Sequence, residues 1–336
     1  MIIESSAPTR VDLAGGTIDI WPLYLFHPGA ATVNFAINLR AHCRIETLDD
    51  DRIILLESRD RKVAFETKLA AIEDLSREPR LELISKLVHF FKPETGFHLT
   101  ADCEAPAGAG LAGSSALNIA CIGALNRLVG DRYPERKFIS IAANIETTVI
   151  RVPAGFQDYY SALYGGVSCI HFRIDGIERE ALDVDGETLE RRIAICYTGE
   201  PRLSGTNNWE ITKNHIDGSK DLFALFDDIR DSSLAMRKAL LANDWDRVSK
   251  VMHDSHPTRK KLAPNVTTTQ MDNLVEKALR SGAEAAKVCG AGGGGCIAFF
   301  CEEGRRKEVE TALAEERGVE VLDWGMAHDG LAVNAN

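Results

Sequence analysis

Pro106-Ala107-Gly108-Ala109-Gly110-Leu111-Ala112-Gly113-Ser114-Ser115-Ala116 joins a strand-like run, Gly96 to Cys103, to an apolar run from about Ser114 to Val129 that reads as a helix. Glycines at 108, 110 and 113 let the backbone turn tightly and aim several N–H groups at one point. The N-terminus of the following helix adds partial positive charge. Together they form an anion site suited to a di- or triphosphate, with the Ser115 hydroxyl available to a Mg²⁺ ion. The stretch also spells Gly-x-Gly-x-x-Gly, and Asp131 follows at about the 20-residue interval of a dinucleotide-binding unit. The context does not match that unit. Asp131 falls in the turn Gly130-Asp131-Arg132-Tyr133-Pro134, and the next segment is helical rather than a strand. No Gly-Lys-Ser/Thr ends the loop, so it is not a P-loop either.

A second glycine segment, Lys287-Val288-Cys289-Gly290-Ala291-Gly292-Gly293-Gly294-Gly295-Cys296, lies between two strand-like runs. This is far more glycine than a hairpin needs. It implies that something approaches the backbone closely, and a packed loop or a ligand would both do so. The third unusual segment is Ala7-Pro8-Thr9-Arg10-Val11-Asp12-Leu13-Ala14-Gly15-Gly16-Thr17-Ile18-Asp19. By themselves Arg10 and Asp19 would read as surface charges.

In this order, the three segments resemble the motifs of the GHMP small-molecule kinases, which include galactokinase, homoserine kinase and mevalonate kinase. The match runs over Pro8–Asp19, Pro106–Ala116 and Lys287–Gly295, spread across nearly the whole chain. Gly155-Phe156-Gln157-Asp158-Tyr159-Tyr160 looks like the Gly-x-Gln-Asp-x-Tyr segment of the sugar-kinase branch that contains heptose 7-phosphate kinases. Arg10 stands where mevalonate kinases usually carry Lys, and the Gly-Glu-His-Thr-Asp of galactokinases is absent. The branch's Gly-Gly-Gly-Thr-Asp appears here as Gly15-Gly16-Thr17-Ile18-Asp19.

The resemblance implies an ATP-dependent phosphotransferase acting on a hydroxyl of a sugar or sugar phosphate, with Mg²⁺. ATP would lie over Pro106, Gly108, Ala109, Gly110, Leu111, Ala112, Gly113, Ser114 and Ser115. Ser115 and Glu146 would hold the metal. Asp158 would face the acceptor hydroxyl as base or orienter, and Arg10, a permanent cation, would stabilise negative charge in the transition state. Gly15, Gly16, Asp19, Gln157, Gly292 and Gly293 would contact the acceptor. Pro153 and Gly155 separate Glu146 from Asp158, so a loop is expected to return Asp158 to the cleft. A mevalonate- or galactokinase-type acceptor, or a ligand sensor on the same fold, are the competing readings. Ser115, Glu146 and Asp158 are all present, which speaks against the sensor.

The pattern of elements implies an α+β chain of two domains, residues 1–180 and 181–336. By resemblance the first is ribosomal-protein-S5-like. The second reads β-α-β-β-α-β, a ferredoxin-like split βαβ with inserted helices. The polar turn Asp175-Gly176-Ile177-Glu178 marks the boundary.

The composition fits a globular protein: 336 residues, 45% apolar and 26% charged, with a net charge of −11. That charge argues against nucleic-acid binding. No run of about 18 apolar residues predicts a membrane span. The first residues show no signal-peptide pattern. Eight cysteines without Cys-x-x-Cys suggest buried thiols in a reducing cytoplasm, not zinc or redox pairs. His253-x-x-His256 lacks the i, i+4 spacing and an acidic partner for a metal pair. Arg202, Lys213, Arg259, Lys260 and Lys261 are candidates to neutralise a substrate phosphate, and equally a solvated basic face. A homodimer is compatible with these readings.

Overall fold

The computed structural model describes residues 1–50, 52–201, 208–262 and 266–336. The N-terminal run forms β1 (Ile2–Ala14), antiparallel to the long β2 (Ala31–Thr47). Their register shifts between Pro8 and Thr9. Such a bulge re-aims the side chains beyond it. Before it, Ile3 and Ala7 point into one hydrophobic core; after it, Val11 and Leu13 point into another. Arg10 and Asp12 therefore turn to the cleft described below.

β3 (Ile53–Ser58) and β4 (Val63–Lys68) form a hairpin. α1 (Glu82–Phe91) ends at Lys92 in the left-handed conformation, just before Pro93. β5 (Phe97–Cys103) then inserts between β2 and β3, parallel to β3. The Pro106 loop leads to α2 (Gly113–Leu128). Small and apolar residues cover every face of this helix, and nearly all of them are buried. It is the central helix of the domain, and it packs on β1 and β2 and against its helical neighbours. α3 (Phe138–Ile150) follows a single 3-10 turn at Glu135–Lys137. α4 (Gln157–Tyr164), β6 (Val167–Arg173) and β7 (Gly176–Ala181) complete the first unit. Ile177 and Glu178 thus belong to a strand paired with Phe172 and His171, not to a boundary turn. Alternating side chains along β7 and the ladder to β6 override the polar composition that suggested one.

The second unit begins with α5 (Gly186–Arg192), capped by Asp185, and β8 (Ile193–Tyr197). Among the described residues, α6 (Asn208–Ile216), α7 (Lys220–Leu241), α8 (Trp245–Leu262) and α9 (Thr269–Arg280) are inserted next. β9 (Ala283–Val288), β10 (Cys296–Cys301), α10 (Arg306–Ala314) and β11 (Glu320–Val321) follow, and β12 (Ala332–Ala335) returns to pair with β1. The sheets run β12-β1-β2-β5-β3-β4, with β6 and β7 beside the first half of β2, and β11-β8-β10-β9. The second order is that of the expected split βαβ unit. The chain is therefore an α+β protein with two sheets. One core lies between the first sheet and α1–α4; a second joins β1 and β2 to α7, α8, β8 and β10. Seven of the eight cysteines are buried, and Cys103 is half-buried. Among the described residues, no helix is long and apolar enough to cross a membrane.

Candidate active site

A cavity of about 330 Å³ opens where the three glycine segments meet. Its floor is the start of α2. Gly108 and Gly110 have φ of +71° and +78°, and Ala112 is left-handed at +63°. A non-glycine residue in that conformation is strained, which is common where the backbone is shaped for a ligand. The first helical N–H groups have no intrahelical acceptors, and no side chain caps them. They have the arrangement expected of the anion cradle that the sequence suggested.

Above the cradle, Arg10 donates from Nε to Asp158 Oδ1 at 2.8 Å and from Nη1 to the Gly110 carbonyl at 2.9 Å, and its Nη2 lies 2.6 Å from the same Asp158 oxygen. Its backbone N–H donates to Leu111 O. β1 and the loop are thus fixed to one another on both sides of the arginine. Burial works against the Arg10 charge, but Asp158 and Asp12 outweigh it and its pKa is raised. Asp158 sits in the first turn of α4, not on a loop. The expected break does occur, since Arg151 is left-handed and ends α3, but the chain re-enters a helix at Gln157. Ile20 bridges to Gly155, which ties the N-terminal segment to that re-entry point.

Glu146 projects from α3 and is buried. Its Oε1 accepts from the Ser114 hydroxyl at 3.0 Å, and its Oε2 from Ser115 at 3.0 Å and Tyr159 at 2.8 Å. Burial, and to a lesser degree Asp158, raise its pKa; the three hydroxyls oppose them. Asp19 is also buried. It accepts from the Thr17 and Gln157 N–H groups, both at 3.1 Å. Burial first, then Asp158, pushes its pKa up to about 7. A Cβ on Gly155 would stand 2.3 Å from the Asp19 carboxylate, so only glycine leaves it room.

Of the residues expected from sequence, Arg10, Gly16, Asp19, Pro106, Gly108, Ala109, Gly110, Ala112, Gly113, Ser114, Ser115, Glu146, Gln157 and Asp158 all line this cavity. Leu111 is fully buried and contributes its carbonyl. Gly15 is packed against the Ala31 carbonyl and lies off the cavity wall. Gly292 and Gly293 do not line the cavity. Gly292 packs on Val266, Gly293 N–H donates to the Val266 carbonyl, and Gly290 and Ala291 line the cavity instead. The glycine run is also a loop-packing device. A Cβ on Gly295 would lie 2.7 Å from Ala109 O, and Cys296 N–H donates to that same oxygen at 2.7 Å.

Asp12, Arg259 and Lys287 form a buried cluster; of the three, Arg259 alone was a sequence candidate, as one of the basic residues that could neutralise a substrate phosphate, and Asp12 and Lys287 had no assigned role. Asp12 Oδ2 lies 3.3 Å from Lys287 Nζ and 4.0 Å from Arg259 Nη1. Tyr159 and Asp12 stand inside the quoted motifs, so a signal existed for them. Arg202 lies outside the described residues, while Lys213 and Lys260 pair with Asp217 and Asp272.

Comparison with known proteins agrees with this geometry. The models for the GHMP kinases N-terminal domain and the GHMP kinases C-terminal domain match residues 81–166 and 236–319, together half of the chain. The chain belongs to the GHMP kinase family, and it is a small-molecule kinase. Kinases of this family act with ATP and a divalent metal. The chain is 26% identical to a D-glycero-alpha-D-manno-heptose 7-phosphate kinase of Campylobacter jejuni, with 98% of each chain covered. It is 24% identical to a mevalonate kinase of Thermococcus sibiricus, over 99% of this chain and 98% of that one. Its fold is shared with a D-glycero-D-manno-heptose 1-phosphate kinase from Bacteroides thetaiotaomicron, with a TM-score of 0.78, 23% identity and 99% of each chain covered.

Proposed function

We propose that this kinase transfers the terminal phosphoryl group of ATP to a hydroxyl of a phosphorylated sugar of the heptose 7-phosphate kind. The observation that carries the reading is the convergence of three units in one cavity: the Arg10–Asp158 pair, the N-terminus of α2, and Glu146 with its hydroxyl donors. The ATP phosphates rest on the Pro106–Ser115 loop. Asp158 orients the acceptor hydroxyl and takes its proton. Arg10 faces the charge that builds on the transferring group, and its bond to the Gly110 carbonyl fixes it in place beforehand. Asp19 and the Gln157 side chain hold acceptor hydroxyls.

The donor set fits Mg²⁺. Glu146, Ser114 and Ser115 offer only oxygens, which suits a hard cation. Three carboxylates, Asp19, Glu146 and Asp158, also line this one cavity, and Asp158, after burial, raises the pKa of both Asp19 and Glu146. Glu146 and Ser115 would hold Mg²⁺, which would supply neutralisation of phosphate charge. The chain's N–H groups and Arg10 do the positioning.

Asp158→Asn is the direct test. The kcat is expected to fall by about 10²–10⁴, with ATP affinity retained. A fall of less than about tenfold contradicts the assignment of Asp158.

A further inference from the structure

Arg259 has no part in the transfer just described, yet it lines the same cavity. It stands in α8, buried, and its guanidinium spans two walls. Nη1 donates to the Gly16 carbonyl at 3.2 Å and Nη2 to the Gly290 carbonyl at 2.5 Å. Its Nε–H has no acceptor among the described residues. The carboxylate beside it, Asp12 at 4.0 Å, lies closer to Lys287, at 3.3 Å. Two buried cations thus share one carboxylate, and one positive charge of the trio is left without a counter-charge. Carbonyl dipoles alone offset the desolvation of an ion poorly. The neighbours register the excess. Burial, and then Arg259, pushes Lys287 down to about 8. Burial, then Lys260, with Lys287 and Arg259 adding to it, pushes His256 down to about 4.

The other cations near the cavity are occupied or remote. Arg10 is bound to Asp158. Arg61 stands by Asp60 and donates to the Arg80 carbonyl. Lys213 and Lys260 are paired with Asp217 and Asp272, and Lys261 is exposed. Among the described residues, five carboxylates line the cavity against three arginines. An acceptor that already carries a phosphate brings about −1.5 to −2 charges into this wall. It needs a preorganised cation on the acceptor side, between the Gly16 turn and the Gly290 segment.

We propose that Arg259 is the residue that reads the phosphate already present on the acceptor, with Lys287 behind it supplying the excess positive charge. This rests on the sugar-phosphate reading given above. The anion that would compete for the same guanidinium is the terminal phosphate of ATP, and kinetics separates the two sources.

The experiment compares a heptose 7-phosphate with the same heptose lacking its phosphate, each as substrate, or as competitive inhibitor where it is not turned over. The readout is KM (or Ki) for the unphosphorylated heptose divided by that for the heptose 7-phosphate, with KM for ATP measured beside it. In Arg259→Gln this ratio is expected to fall by about 10- to 100-fold, because a charge-assisted contact is lost only with the phosphorylated sugar. In Arg259→Lys, which keeps the charge but not the fork between two carbonyls, the ratio is expected to fall less. The lysine variant decides the matter if the glutamine variant does not fold. A structural role for Arg259 would weaken both sugars alike and leave the ratio where it was; that result overturns the proposal. So does a change confined to KM for ATP. If the wild-type enzyme shows no preference for the phosphorylated sugar, the sugar-phosphate reading itself has failed, and no variant is needed to see it.

Discussion

Asp19 is buried beneath the acceptor side of the cavity, with a pKa of about 7 caused by burial first and then by Asp158. An unfolded aspartate ionises near its ordinary value of 3.8. At lower pH both states are protonated, and the contribution of Asp19 to stability is fully present. As pH rises from about 4 to about 7 the unfolded chain gives up this proton first. Stability therefore falls across that window and levels off above it. Asp19→Asn is expected to reduce that slope, as read from urea unfolding at several pH values; an unchanged slope contradicts the assignment. Glu146→Gln keeps the shape and removes the charge. The Mg²⁺ concentration for half-maximal activity is expected to rise at least about tenfold, and an unchanged requirement would remove Glu146 from the metal site. Arg10, Glu146 and Asp158 were legible because they stand at fixed places within or between recognisable segments. Arg259 was one of five basic candidates for a substrate phosphate, with nothing in the sequence to single it out, and Lys287 had no assigned role. They are single charges on a helix and a strand, and only the folded chain shows that both reach Asp12.

At the scale of elements, the glycines work by contact as much as by conformation. Gly295 has φ of +82°, and a Cβ there would collide with the Ala109 carbonyl. Gly295→Ala forces either the strain of a left-handed residue, about 1–2 kcal/mol, or the separation of the two loops. The expected outcome is a raised KM for ATP together with a lower Tm. Retention of both would show that the loops do not depend on each other. The glycine density of this run was visible in the sequence, but whether a loop or a ligand required it was not, because the partner lies about 180 residues away. Helix α2 and strand β10 were legible from their apolar runs. Helix α4 was missed because Pro153 and Gly155 suggested only a break. Strands β7 and β12 were missed because short, half-exposed strands owe their form to the ladder they join rather than to their own pattern.

For the molecule as a whole, the C-terminal segment closes the first sheet. β12 pairs with β1, and Gly123 of α2 lets Val333 and Leu331 approach within about a van der Waals contact. Removing residues 331–336 exposes the edge of β1 and part of α2. It is expected to lower Tm by several degrees, since a loss of about 1 kcal/mol already shifts Tm by roughly 2–4 °C in a domain of 150–250 residues. An unchanged Tm would mean that the strand contributes no stability. The sheet and the two domains together place three distant segments around one cavity rich in carboxylates, consistent with the net charge of −11 and with phosphate held by N–H groups, arginine and metal. The most direct measurement is ADP release by the wild-type enzyme with Mg²⁺ and ATP over a panel containing a heptose 7-phosphate, the unphosphorylated heptose, galactose and mevalonate. The highest kcat/KM is expected for the phosphorylated sugar, by at least about tenfold. A higher value for mevalonate, or ATP binding with no turnover of any acceptor, would contradict the proposed function.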